Sequence, residues 1–226
     1  MLRLPIMGRP LRGYWWLPTS RGKVLRVLRG TYEPEQTAHF VRWIGPGATV
    51  IDVGAHVGYY TLLASMLAGE TGSVWAFEPE PTNAAFLRQH MYLNHCSNVH
   101  VEQLAVSNES GRARFVCGKG SGTGHLDTGG DMEVRTVRLA EFCEARGIKP
   151  TALKIDVEGA EIDVLEGARD VITTTRPVIF LSTHGPSLHR QCMTWLRELG
   201  YTLKPILGGS VENTAEILAL PDGAIA

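Results

Sequence analysis

The sequence predicts an α/β protein, with a mostly parallel sheet and helices on both of its faces. Three observations lead there. Short β-branched apolar runs alternate with segments of helical periodicity, the pattern of consecutive βαβ units. The runs are nearly continuous in apolar residues, as strands are when both faces of a sheet are covered. Glycines, carboxylates and a histidine gather where these runs end, and open sheets of this kind bind ligands beyond the carboxyl ends of their strands.

Taken in order, residues 1–30 read as a basic arm and residues 31–226 as the ligand-binding domain. Arg3, Arg9, Arg12, Arg21, Lys23, Arg26 and Arg29 all precede the first acid, Glu33, although the chain as a whole has 22 Lys and Arg against 23 Asp and Glu. A basic arm on an acidic body suits a phosphate-bearing substrate, a nucleic acid or a membrane surface. It equally suits a solvated arm that packs on its own body or on a partner subunit, which leaves a homo-oligomer open. The net charge of −1 gives no general reason to expect nucleic acid or membrane as a partner. Leu2, Leu4, Ile6 and the Tyr14 to Leu17 stretch are interrupted by Pro, Gly and Arg, so no secretory core of roughly 7–15 apolar residues forms. No run approaches the ~18 apolar residues of a membrane span. Cys96, Cys117, Cys143 and Cys192 include no C-x-x-C pair, which argues against zinc or a disulfide framework and for reduced thiols in the cytoplasm.

Residues 35–43 read as a short helix, stopped by Pro46-Gly47. Residues 49–53 form a first strand and 56–67 a helix; residues 74–77 form a second strand and 81–94 a helix with Pro81 in its first turn. Residues 99–106 give a third strand, and 112–117 and 133–137 two more around a loose connection. A helix at 139–146 leads to the fourth main strand, 153–157, and a helix at 161–169. Residues 178–181 make a fifth main strand, 187–199 a helix ended by Gly200, and 217–220 a last strand.

The first strand runs into Asp52-Val53-Gly54-Ala55-His56-Val57-Gly58. Gly54 permits a sharp turn and close approach of a ligand to the backbone, and the amides opening the next helix favour a carboxylate or phosphate. Dinucleotide loops read G-x-G-x-x-G; here the spacing is G-x-x-x-G, and His56 stands where backbone would meet a pyrophosphate. An amino-acid-bearing nucleoside fits better. Glu78 ends the second strand, where an acid accepts hydrogen bonds from ribose hydroxyls.

Gly30-Thr31-Tyr32-Glu33-Pro34-Glu35, the stretch from Val50 to Thr61, Phe77-Glu78-Pro79 and Leu104-Ala105-Val106-Ser107 stand in that order along the chain. With Leu153-Lys154-Ile155-Asp156-Val157-Glu158-Gly159-Ala160-Glu161, they resemble FkbM-type methyltransferases over roughly residues 30–201. His56 departs from the Asn that many members carry. The resemblance implies a class I methyltransferase, Rossmann-like fold with a seven-stranded sheet and S-adenosylmethionine as cofactor. It implies O-methylation of a small-molecule hydroxyl, most often on a sugar or a glycosylated natural product. By position, Asp52, Gly54, Gly58 and Thr61, with the loop amides, would hold the methionine end and Glu78 the ribose. Gln103 and Ala105 would lie by the adenine, and Tyr32 and Glu33 would close over the cofactor.

A sugar hydroxyl is a poor nucleophile at neutral pH, so a base or a metal must assist. Asp156 and Glu158 sit at the end of the fourth strand, and His184 follows the fifth. His184 titrates nearest neutrality and is the leading base candidate; a histidine merely hydrogen-bonded in its loop is the competing reading. Asp156, Glu158 and His184 also form a candidate donor set for Mg²⁺ or a similar divalent ion, although their sequence alone establishes no metal site. Lys154 and Asp156 share a strand face, and a buried lysine needs such a partner. His125 and His189 have only their residue type to recommend them. The glycine-rich run at 118–130, with Lys119, His125 and Asp127, reads as a substrate lid or as a tip with no role. Two rivals stay open: methylation of a nucleic acid or phosphorylated substrate, and a cofactor-binding subunit without catalysis.

Overall fold

A computed structural model describes residues 2–20, 22–116, 124–126 and 129–224. Seven strands build the central sheet: β1 (Thr49–Val53), β2 (Ser73–Phe77), β3 (Val99–Glu102), β4 (Ala152–Ile155), β5 (Val178–Ser182), β6 (Tyr201–Pro205) and β7 (Glu216–Pro221). Their spatial order is β6-β7-β5-β4-β1-β2-β3. Neighbours are parallel except at β7, which runs antiparallel to both β5 and β6. The chain works outward from β1 to β3 and then crosses back to β4. The order therefore reverses between β1 and β4, and a crevice opens beyond their carboxyl ends.

Helices α1 (Val24–Arg29), α2 (Pro34–Trp43), α3 (Tyr59–Ala68), α4 (Pro81–Leu93), α5 (Leu139–Arg146), α6 (Glu161–Gly167), α7 (Arg169–Thr175) and α8 (Pro186–Glu198) complete the core. Alternation along the strands sends side chains to two separate cores. Val50, Val74, Ala76, Ala152, Phe180 and Leu218 pack with Phe40 of α2, Leu62 and Leu63 of α3 and Leu87 of α4. Ile51, Val53, Leu153, Ile155, Ile179 and Ile217 pack with Phe142, Leu165, Ile172 and Leu196 of α5 to α8. The same alternation puts Asp52 and Lys154 on the first of these faces, as register partners on adjacent strands. Two charged groups thus lie inside an apolar layer beside the crevice.

Residues 2–20 and 22–30 pack onto the body. Leu4–Pro5 pairs with Trp15–Trp16, and Ile6, Leu11, Trp16 and Val27 join the α2–α4 core. His90 of α4 makes the attachment specific. Its ring stacks on Trp16 at 3.7 Å, its Nε2 accepts the Leu17 amide at 3.1 Å, and its Nδ1 lies 2.7 Å from the Val57 carbonyl. Burial lowers His90 to about 4, so the ring is neutral, with Nδ1 as donor to Val57.

Several elements differ from the sequence expectations. The third strand does not continue to residue 106: the chain leaves the central sheet after Glu102, and Ala105–Val106 pairs with Met132–Val137 in a second sheet. Gly111–Val116 joins that sheet antiparallel to Met132–Val137, with His125–Leu126 on its other side. An apolar run shows that a strand exists but not which sheet receives it. The helix expected at 161–169 ends at Gly167, and α7 follows it. The edge strand β6 was not anticipated, because Tyr-Thr-Leu-Lys-Pro is half polar and carries a proline, which suits only an edge. Most of the glycine-rich run, with Lys119 and Asp127, lies outside the described residues. No helix among the described residues is long and apolar enough to cross a membrane.

Candidate cofactor and catalytic site

Asp52 and Lys154 are almost fully buried, at 1% and 2% exposure, directly under α3. Asp52 Oδ2 accepts the Thr61 hydroxyl at 2.6 Å, and Oδ1 lies 3.8 Å from Lys154 Nζ with no hydrogen-bond partner among the described residues. Lys154 donates to Asp156 Oδ2 at 3.1 Å and lies 5.1 Å from the Tyr60 ring centroid. Burial raises the Asp52 carboxyl, and Lys154 and Thr61 only partly offset it. Burial acts the same way on Asp156, but there the Lys154 ammonium prevails and holds the acid below its usual range. Lys154 is thus a structural cation shared by two carboxylates, as expected for a buried lysine.

Gly54 turns the chain at φ 79°, and a Cβ there would stand 2.0 Å from the Asp156 carbonyl oxygen. Only glycine lets the loop after β1 touch the loop after β4. Gly58, the N-cap of α3 at φ 93°, lacks room for a Cβ because Leu87 Cδ1 would be 2.2 Å away. Its immediate role is to let α3 approach α4. The loop amides differ from expectation. Those of Gly54 and Ala55 donate to the Phe77 carbonyl, and that of His56 donates to Glu78 Oε2 at 2.8 Å. These three bind β1 to the end of β2 instead of facing a ligand. Glu78 also accepts the Glu80 amide at 3.0 Å, and burial raises its carboxyl to about 7 against those amides.

A cleft of about 420 Å³, open solvent included, lies beyond β1 and β4. Tyr32, Asp52, Gly54, His56 and Asp156 line it, together with Trp16, Gly22, Lys23 and Val27 from the N-terminal segment. Glu33 braces the wall: it accepts the Tyr60 hydroxyl at 3.0 Å and lies 3.8 Å from Lys23 Nζ. Gln103 is exposed just past β3, Ala105 is buried in the second sheet, and the Glu78 amide donates to the Glu102 carbonyl at 3.1 Å. Glu78, Gln103 and Ala105 therefore follow the sheet edge outside the lining of the cleft.

Glu158 and His184 form a second group. His184 Nδ1 lies 2.6 Å from Glu161 Oε1, and Nε2 lies 3.3 Å from Glu158 Oε2. The Glu161 hydrogen bond, opposed by burial and helped by Glu158 and Asp156, lifts His184 to about 9. His184 at rest is therefore an imidazolium at neutral pH, and a base role requires its deprotonation. No group of three or more His, Cys, Asp or Glu among the described residues is arranged to hold a metal. Asp156 is committed to Lys154, and both nitrogens of His184 face carboxylates. His189 is structural: Thr183 Oγ1 and the Val211 carbonyl take its two nitrogens at 2.8 Å each.

Trp16, Gly22, Lys23 and Val27 escaped sequence reasoning as cleft residues, and nothing in an irregular arm signals which side chains fold back. Glu161 was visible only as part of a family-like stretch. Its place three residues after Glu158, just beyond the end of a main strand, was the available hint.

The methyltransferase FkbM domain model matches residues 52–203. The 31-O-demethyl-FK506 methyltransferase FkbM of Streptomyces tacrolimicus is 32% identical over 160 residues, covering 55% of this chain and 61% of that one. The 2-O-methyltransferase NoeI of Sinorhizobium fredii is 27% identical, covering 70% and 68%. The hexuronic acid methyltransferase AglP of Haloferax volcanii is 29% identical, covering 73% and 64%. The chain thus spans less than two thirds of the length of two of these relatives. A crystal structure of methyltransferase FkbM from Methylobacillus flagellatus superposes with a TM-score of 0.55 at 16% identity, covering 81% of this chain and 50% of that one. A precorrin-6y C5,15-methyltransferase from Geobacter metallireducens also gives 0.55, at 14% identity, covering 91% and 95%. At those identities the likeness establishes the class I fold alone.

Proposed function

The chain belongs to the FkbM methyltransferase family, and on that premise we propose that it is an S-adenosylmethionine-dependent O-methyltransferase acting on a saccharide-containing small molecule. The observation that carries the cofactor is Asp52 Oδ1, a buried carboxylate oxygen in the wall of the cleft that has no hydrogen-bond partner among the described residues and only the Lys154 ammonium at 3.8 Å. Such an atom costs stability unless a ligand donor meets it, and an amino-acid ammonium is such a donor. Tyr32 and Trp16 offer apolar surface around it, and Glu78, at the end of β2 outside the cleft lining, would take ribose hydroxyls only where the cofactor extends past the cleft. The acceptor class is supported by the relatives, whose names specify the 31-O position of FK506, a 2-O position and a hexuronic acid.

S-adenosylmethionine, when bound, supplies a methyl on a sulfonium that a hydroxyl oxygen takes by in-line displacement. The chain's part is to align the two partners, exclude water and accept the proton. In this reading Asp52, kept in place by Thr61 and Lys154, orients the methionine end. Asp156 and Glu158 border the acceptor side. Once His184 has lost its Nε2 proton to solvent and the acceptor has displaced Glu158, the neutral ring accepts the hydroxyl proton on Nε2. Among the described residues, the free cysteines Cys96, Cys143 and Cys192 suit a cytoplasmic setting.

The proposal is checked by incubating the enzyme and labelled S-adenosylmethionine with neutral sugars, uronic acids and glycosylated metabolites, with and without EDTA. Because the candidate metal donors are engaged with one another, the rate is expected to be unchanged by the chelator. A collapse restored by Mg²⁺ would return the divalent ion to the mechanism.

A further inference from the structure

We propose that Glu161 is the positioning residue of the transfer: its carboxylate fixes His184 with Nδ1 as the donor, leaving Nε2 as proton acceptor. This rests on His184 being the base. Glu161 is fully buried at the first turn of α6, and its Oε1 receives both His184 Nδ1, at 2.6 Å, and the Gly159 amide, at 3.2 Å. Its Oε2 has no partner among the described residues. A carboxylate in that state is strongly disfavoured unless a cation compensates it, and the imidazole is the group in reach.

A purely structural ion pair would keep both ends inside. Here the ring bridges the interior and the open site. His184 is 34% exposed, and its second nitrogen points to Glu158, itself 33% exposed. The structural histidines behave otherwise. His189 gives both nitrogens to a hydroxyl and a carbonyl, and His90 gives both to backbone. A buried carboxylate on one imidazole nitrogen, with the other turned to the reacting group, is the arrangement that holds a histidine base in its working tautomer. Glu158 Oε2 then occupies at rest the place an acceptor hydroxyl takes. The charged groups around the ring are Glu161 from α6, and Glu158 and Asp156 from the loop after β4. Behind Glu161, the Cys192 thiol of α8 is pushed up to about 12 by burial and stays neutral.

The test is Glu161→Gln in the full chain, read by NMR titration of the His184 ring and by the pH profile of turnover with saturating S-adenosylmethionine. The variant keeps the size but loses the charge, and its amide nitrogen invites the wrong tautomer. The His184 midpoint is expected to fall by about one pH unit or more, and the plateau rate at high pH by roughly tenfold or more. Cofactor affinity should stay within about twofold, since Glu161 lies outside the cleft lining. An unchanged midpoint overturns the proposal; so does a shifted midpoint with an unchanged plateau, which leaves only a structural pair. If Glu161→Gln does not fold, Glu161→Asp decides by the same two readouts: its shorter carboxylate should lower the plateau while keeping His184 cationic at neutral pH, and a wild-type plateau sinks the idea. If His184→Ala turns over normally, the base reading fails by itself, whereas the ring titration still reports the Glu161 contact.

Discussion

Asp52→Asn is expected to keep the fold and lose the cofactor, weakening S-adenosylmethionine binding by roughly 10- to 100-fold, the worth of one charge-assisted hydrogen bond of about 1.5–3 kcal/mol. The fold should survive because the carboxyl is already disfavoured where it stands. Burial raises it, and its Oδ1 has no hydrogen-bond partner among the described residues. An amide of the same shape can bond the Thr61 hydroxyl, and Lys154 retains Asp156 at 3.1 Å. Calorimetry measures the affinity and a thermal melt the stability. Normal affinity would remove Asp52 from the cofactor site. Gly54 is less informative as a target, because any side chain there meets the Asp156 backbone and disturbs the junction of β1 and β4 before it tests a ligand contact.

His184→Ala should lower turnover by roughly 10²- to 10⁴-fold, the usual contribution of a general base, with cofactor affinity nearly unchanged. The pH dependence of the native enzyme carries the same information. The base form of His184 appears only as pH rises through about 9. Turnover should therefore climb by about tenfold per pH unit at lower pH and level off above that value. The alanine variant should lose this limb. A flat profile between neutrality and pH 9 would take the proton-acceptor role away from His184.

The residues that made the fold legible were those governed by short-range rules. Thr49–Val53 could be nothing but a strand, Pro81 marks a helix start, and Gly54 marks the turn into the cleft. The Lys154–Asp156 pair also followed from local spacing together with the cost of a buried charge. What stayed hidden depended on distant partners. Residues 105–106 look like a continuation of β3 until Met132–Val137 takes them into another sheet. Residues 2–30 show their charges but not that Trp16 stacks on His90 and thereby closes one side of the cleft. The candidate site was half visible for the same reason. Asp52, Asp156 and His184 carry chemistry in their names. The burial of Glu161 and the engagement of the loop amides with Phe77 and Glu78 arise only on folding.

The central claim is methyl transfer from S-adenosylmethionine to a hydroxyl, and mass spectrometry of a metabolite extract incubated with enzyme and methyl-labelled S-adenosylmethionine tests it most directly. One class of product is expected: a saccharide-containing molecule carrying a single labelled methyl on oxygen, strongly reduced at low cofactor concentration when Asp52→Asn replaces the native enzyme. A cofactor that binds tightly while no extract component acquires label, or label found on nucleic acid instead, would contradict it.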